Sequence, residues 1–538
     1  MTDRLRILVT IAGLLVLCYV LFQFGNGAVS LTDPDDVFYA DTAKEMLAHH
    51  SWLTPIMFDQ PQFEKPPLYY WLLMLAFQLF GVTAWAARLV GVVIGFGAVA
   101  ATYLFVRHMA NERAGLISSI VLATSIWWIG LARVVLTDLL FSALFMGAMY
   151  SFLLWYRNRK SVWLWGFGLC TGLAALAKTP IGLGLAVLIV VVFLILERDL
   201  DALRRFLWAP WWLLCLAVAV PWYWYEIYLY GSQFTQEFLV HDHWDRLVGA
   251  EHREFNRWYF YLVAVGFGFI PWTAFAPYVR QAFGQFNRIA RLMAVWIIVV
   301  LVFFTLAQSK LTTYVSPMYP ALAILVALGL AAEKSYRWVR NVSAVLLLAL
   351  AGGLGAGAYI VAQKYAEFAS GALWSFGSLA VVLVIAAVLL LMKRKSASIW
   401  AAAGGIALFS ILAATTVFGR LEGGLTQANL VPVIERHAYH EGTVLSSKLF
   451  ARGIRFYTGC QVMVIAESPQ PYWSSHPIPV ISVDDSVRVL LASRDTLICV
   501  LSNGDLNRVK RLLPEDHLLD TLASDMGKSV VVSRRRYQ

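Results

Sequence analysis

Apolar runs long enough to cross a bilayer as helices, about 17–25 residues each, alternate with small basic clusters along most of this chain. The clusters are Arg4/Arg6, Arg107/Arg113, Arg157/Arg159/Lys160, Arg198/Arg204/Arg205, Arg280/Arg288/Arg291, Lys334/Arg337/Arg340 and Lys393/Arg394/Lys395. Between neighbouring clusters there is room for two crossings. If every cluster is cytoplasmic, a single topology obeys the positive-inside rule throughout. It has roughly thirteen spans, an inside N-terminus and an outside C-terminus. The N-terminus has a basic start and a long apolar run without a small-residue cleavage site, so it reads as an uncleaved first span.

The same alternation places residues 25–84, "RVVLTD", "LAKTP", residues 222–257 and "SKLTTYVSPMYP" outside. The last span ends near Gly419. Beyond it, "GTVLSS", "CQVMVIA", "VRVLLA" and "LICVLSN" read as strands, and "DLNRVKRLL" reads as a helix. The expected organisation is a transmembrane module over 1–420 and an external α/β domain over 421–538.

Composition agrees with this reading. Of 538 residues, 59% are hydrophobic and only 14% charged, with mean hydropathy +0.66; soluble domains carry about 25% charged residues. A net charge of +10 fits nucleic acid in other contexts. Here the basic residues are scattered between apolar runs and serve orientation, so no nucleic-acid partner is expected. Abundant Trp and Tyr suit interfacial belts. Cys18, Cys170 and Cys215 fall in apolar segments. Cys460 and Cys499 fall in the tail, where a disulfide is open if that part is outside.

The first external loop is too long for a plain connector. In "DPDDVFYADTAKEM" Asp33 reads as an N-cap, with Pro34 at the first helical position and further acids favoured by the helix dipole. The alternative is a catalytic role for these acids. Further on, Pro66 and Pro67 forbid a helix and present Glu64 and Lys65 on a stiff turn. "LYYWLLMLAFQLF" then fits a helix lying in the membrane interface.

Taken in order, "DPDDVFYADTAKEML", "SWLTP", "FEKPPLYYWL" and "FGVTAWAARL" resemble the first periplasmic loop of the ArnT-like family. These are bacterial relatives of protein O-mannosyltransferases that move sugars from polyprenyl-phosphate carriers. The likeness continues through "ARVVLTD", "LAKTPIG", "PWYWY", "VHDHWDRL", "GFIPW" and "QSKLTTYVSPMYPALA", covering roughly residues 1–335. It implies a GT-C fold in a bacterial inner membrane: a polytopic α-helical protein with juxtamembrane first-loop helices and a periplasmic active site. The best-known activity in the family is transfer of aminoarabinose to lipid A. Another sugar, or a protein or polysaccharide acceptor, is the nearest rival reading. A lipid-linked sugar transporter ranks behind both, because polar residues cluster in external loops and the two halves do not match.

A polyprenyl-phosphate donor needs cations around its phosphate. Those expected on the outer face are Lys65, Arg88, Arg133, Lys178, Arg246 and Lys310, against the orientation rule. By resemblance Lys65, Lys178 and Arg246 bind phosphate. Snorkelling is the alternative for Lys178 and Lys310, and a belt role is the alternative for Tyr314 and Tyr319, which otherwise add hydroxyl contacts. Asp35 matches the family's catalytic acid and Asp36 follows it. A hydroxyl acceptor needs a general base, whereas a phosphate acceptor needs only orientation. One inverting displacement is the simplest course. Glu64 with His243, and His241 beside it, resembles a carboxylate–imidazole set able to hold a divalent ion such as zinc; simple hydrogen bonding is the alternative. No other cofactor is implied, and a monomer is expected. The reading requires "DPDD", "EKPP" and "HDHWDR" to share one extracytoplasmic pocket.

Overall fold

The structure, a computed structural model, describes residues 3–245, 249, 256–437, 442–466 and 479–536. Its contacts divide the chain into two units, Met1–Asn26 with Arg88–Val417, and Gly27–Ala87 with Phe418–Gln538.

The first unit is helical. In lipid an apolar run must satisfy its own backbone N–H and C=O groups, so each run closes into a helix. Among the described residues nine helices are long and apolar enough to cross a membrane. Two further pairs, Glu112–Ala123 with Ile126–Arg133 and Phe260–Gly268 with Trp272–Gln285, bend by 60° and 103° at short breaks. Pro271 lies in the second break and has no N–H to continue the ladder. With each pair as one span the described residues hold eleven, beside three shorter apolar helices, Leu68–Phe80, Val162–Ala177 and Ile181–Leu196; the sequence predicts roughly thirteen. This is a multi-pass membrane protein.

Large rings fill the space between these helices. Trp128, Trp272 and Trp296 are fully buried, and Trp272 donates to the Thr124 hydroxyl at 3.0 Å. Where backbones approach, glycine is required. A Cβ on Gly168 would stand 2.2 Å from the Trp211 carbonyl oxygen.

The second unit joins the first loop to the tail. The loop folds as helix Asp35–Ala48, a short antiparallel pair β1 (Ile56–Met57) and β2 (Gln60–Pro61), and helix Leu68–Phe80, which begins directly after Pro67. Tyr39 packs against Tyr69 and Tyr70, with ring centroids 5.8 and 6.0 Å away. The tail forms β3 (Thr443–Ser447), β4 (Gln461–Ile465), β5 (Val480–Ile481), β6 (Thr496–Ser502), β7 (His517–Asp525) and β8 (Lys528–Arg535). These form one sheet in the order β5-β4-β3-β6-β8-β7. β3 to β6 run parallel and β7 and β8 antiparallel.

"VRVLLA" is not the strand its composition predicts but part of helix Asp484–Ala492. Its buried residues, Val487 and Leu491, are four apart, so one helical face packs onto the sheet beside Cys499 and Val531. Cys460 and Cys499 are both buried, and neither is bridged.

Candidate active site

Asp33 does not cap its own helix. The helix starts at Asp35 without a side-chain cap, and the Asp33 carboxylate turns to the tail. It accepts from the Gly453 backbone N–H at 3.0 Å and from the Gln427 side-chain amide at 3.0 Å. Gly453 lies in the first turn of helix Ala451–Thr458, where backbone N–H groups lack helical partners and the dipole favours an anion. That bond across the fold outcompetes a local cap. It also depends on glycine, because a Cβ at 453 would stand 2.4 Å from an Asp33 oxygen. Burial pushes the Asp33 carboxyl up to about 7, against the lowering effect of Gln427, Gly453, Arg452 and Lys528.

The two acids that follow differ. Asp36 is buried, 1% exposed, and accepts from the Thr32 N–H at 3.3 Å. Asp35 has an exposed side chain. On the other side of the loop, Glu64 N–H donates to Gln62, whose amide donates to the Tyr70 hydroxyl at 2.9 Å. Lys65 Nζ donates to the Glu64 carbonyl at 2.8 Å.

Asp35 and Glu64 act on the same cation, Arg452 of helix Ala451–Thr458. Burial pulls the Arg452 pKa down, and the charges of Glu64, Asp35 and Asp33 oppose that pull. The guanidinium is buried, 4.9 Å from the Phe38 ring centroid, with one nitrogen 3.4 Å from the Pro34 carbonyl oxygen. Thus the charges of "DPDD" and "EKPP" act on one arginine that sequence motifs did not single out. Its only signal was its place beside a glycine, just after a strand end.

The remaining expected residues lie in the first unit. Lys178 ion-pairs with Asp138 of "RVVLTD", and its Nζ is 5.6 Å from the Tyr314 ring centroid. Lys310 is buried and donates to Asn256 at 2.7 Å and to the Ala307 carbonyl at 2.6 Å. Tyr319 is fully buried, its hydroxyl against Gly268. Arg88 donates to the Asn26 carbonyl, and Arg133 to those of Leu21 and Phe24. These two arginines therefore tie down backbone at the end of the first span.

His241 is half-buried in helix Thr235–Asp245. The His243 side chain and Arg246 lie outside the described residues, so the zinc expectation and the third motif rest on sequence. Among the described residues another set, Glu45, His49 and Asp59, has ligand atoms within 4.8 Å of one another. Arg455 already bonds Glu45 at 3.2 Å and Asp59 at 2.6 Å, so a guanidinium supplies the counter-charge.

Known proteins share this architecture. Residues 64–225 match the family described as dolichyl-phosphate-mannose-protein mannosyltransferase. ArnT from Cupriavidus metallidurans, in a crystal structure with undecaprenyl phosphate, superposes with a TM-score of 0.82 at 22% identity, over 99% of this chain and 98% of that one. The chain has the GT-C fold of that ArnT structure. In sequence it is 28% identical over 329 residues to the undecaprenyl phosphate-alpha-4-amino-4-deoxy-L-arabinose arabinosyl transferase of Shewanella sediminis, and 26% identical over 334 residues to an uncharacterised protein of Aquifex aeolicus. These alignments cover 58% and 62% of the chain, and span 58% and 65% of the two relatives' length.

Proposed function

We propose that this protein is a glycosyltransferase of the bacterial inner membrane, working at the periplasmic face. In this reading it moves a sugar, 4-amino-4-deoxy-L-arabinose, from undecaprenyl phosphate to lipid A or another envelope acceptor. The observation that carries the reading is the ArnT-like fold, with the charges of Asp35 and Glu64, the latter next to Lys65, acting together on Arg452. The names of the arabinosyl transferase relatives support the donor.

The acceptor oxygen attacks the anomeric carbon as the bond to the carrier phosphate breaks. The phosphate leaves with the bonding electron pair, and the sugar carbon inverts. Asp35 orients the acceptor and takes its proton when that acceptor is a hydroxyl. Its exposure gives it this role over Asp36, which is buried against the Thr32 N–H. Lys65 holds the leaving phosphate, and Lys178, Arg246, Lys310, Tyr314 and Tyr319 are assigned as further donor contacts.

A second reading replaces the donor with a polyprenyl-phosphate mannose and the acceptor with protein, on the strength of the family matched over 64–225. Mass spectrometry of lipid A and envelope glycans, with and without the gene, separates the two. Loss of an aminoarabinose adduct on deletion, restored by wild type and not by Asp35→Asn, is the expected result. An adduct that persists in the Asp35→Asn strain removes Asp35 from the mechanism.

A further inference from the structure

The tail's contribution to the acid cluster has no counterpart in the motifs that mark the first loop. Helix Ala451–Thr458 holds two neighbouring groups against that loop: the Gly453 N–H, which fixes Asp33 at 3.0 Å, and the Arg452 guanidinium, which lies over Phe38. The two contacts flank Pro34, whose carbonyl oxygen is 3.4 Å from Arg452. Asp35 follows directly. We propose that Arg452 is a positioning residue for transfer: held at Pro34 and Phe38, on either side of Asp35 in the chain, it keeps the Asp35 carboxylate aimed at the acceptor. The inference rests on Asp35 being the acceptor-orienting acid of the proposed function.

Charge decides between this role and phosphate binding. The negative charges of Glu64, Asp35 and Asp33 all act on Arg452, so its single charge is outnumbered and leaves no surplus for the donor's phosphate. Shape explains the residue type. A planar guanidinium stacks on Phe38 while its edge donates to oxygens, and a lysine ammonium cannot do both.

The test compares purified full-length wild type, Arg452→Gln, Arg452→Lys and Asp35→Asn, with undecaprenyl-phosphate-linked 4-amino-4-deoxy-L-arabinose as donor and lipid A as acceptor. A correctly placed acid or base contributes about 100-fold or more to rate. Arg452→Gln is therefore expected to lose about tenfold or more in kcat with donor KM unchanged, and Arg452→Lys to recover part of that loss. Wild-type kcat in Arg452→Gln overturns the proposal. So does a loss carried by donor KM, which makes Arg452 a phosphate ligand, or an equal loss in both variants with lowered thermal midpoints, which makes it structural. If Arg452→Gln does not accumulate, Arg452→Lys is read alone: several-fold lower kcat at unchanged KM supports the proposal, and wild-type kinetics overturns it. Full activity in Asp35→Asn, or no turnover of this donor by wild type, defeats the proposed function instead.

Discussion

At the scale of single residues, the informative contact is a carboxylate seated on a glycine. Replacing Gly453 with alanine puts a methyl group 2.4 Å from the Asp33 oxygen, so the pair has to separate. Losing a charge-assisted hydrogen bond of this kind costs about 2 kcal/mol. Gly453→Ala should lower the thermal midpoint, and adding Asp33→Ala should cost less than the two separate losses combined. Strict additivity in that cycle would mean the two residues do not interact. The sequence made Asp33 conspicuous and then misdirected the reading, because Asp-Pro before a helix is a strong local cap pattern. The partner that won is 420 residues away, and no local pattern reports such a contact. Arg452 was invisible for the same reason.

At the scale of elements, helix Asp35–Ala48 carries a buried acid that its own packing penalises. Asp41 is 1% exposed, and neither carboxylate oxygen has a hydrogen-bond partner among the described residues. Burial, and then the Glu45 charge one turn away, push its pKa up to about 8, against Lys44, Arg455 and Arg452. Since the folded value lies above the usual carboxylate range, the folded state holds the proton more tightly than the unfolded chain. The stability this gives is complete at low pH and is lost as pH rises from about 4 through 8. Asp41→Asn should therefore change little at pH 4 and raise the thermal midpoint by about 5 °C at pH 8. An unchanged difference across that range would show that Asp41 does not titrate with folding. Apolar length alone sufficed to read the long spans. The helix Asp484–Ala492 was misread because β-branched composition outweighed a four-residue spacing too short to stand out.

At the scale of the whole molecule, the basic clusters make a claim about sidedness that can be checked directly. Alkaline phosphatase fused after Gln538 should be active, and the same enzyme inserted between Lys334 and Arg337 should be inactive, as the positive-inside pattern requires. The opposite pair of results would put "DPDD" and "EKPP" in the cytosol and remove the proposed site. Crossings were legible because lipid imposes one strong rule on every segment. The partnership of Gly27–Ala87 with Phe418–Gln538 was not, because it is built from single contacts such as Leu31 N–H on the Tyr457 hydroxyl and Ser30 on Glu422. That partnership constrains how the protein can be re-engineered. A chimaera that borrows a relative's tail to change acceptor choice would set the native Asp33 against whatever residue that tail brings to position 453, where any Cβ clashes. Grafts should exchange residues 27–87 and the tail together, as one cassette cut at two places in the gene.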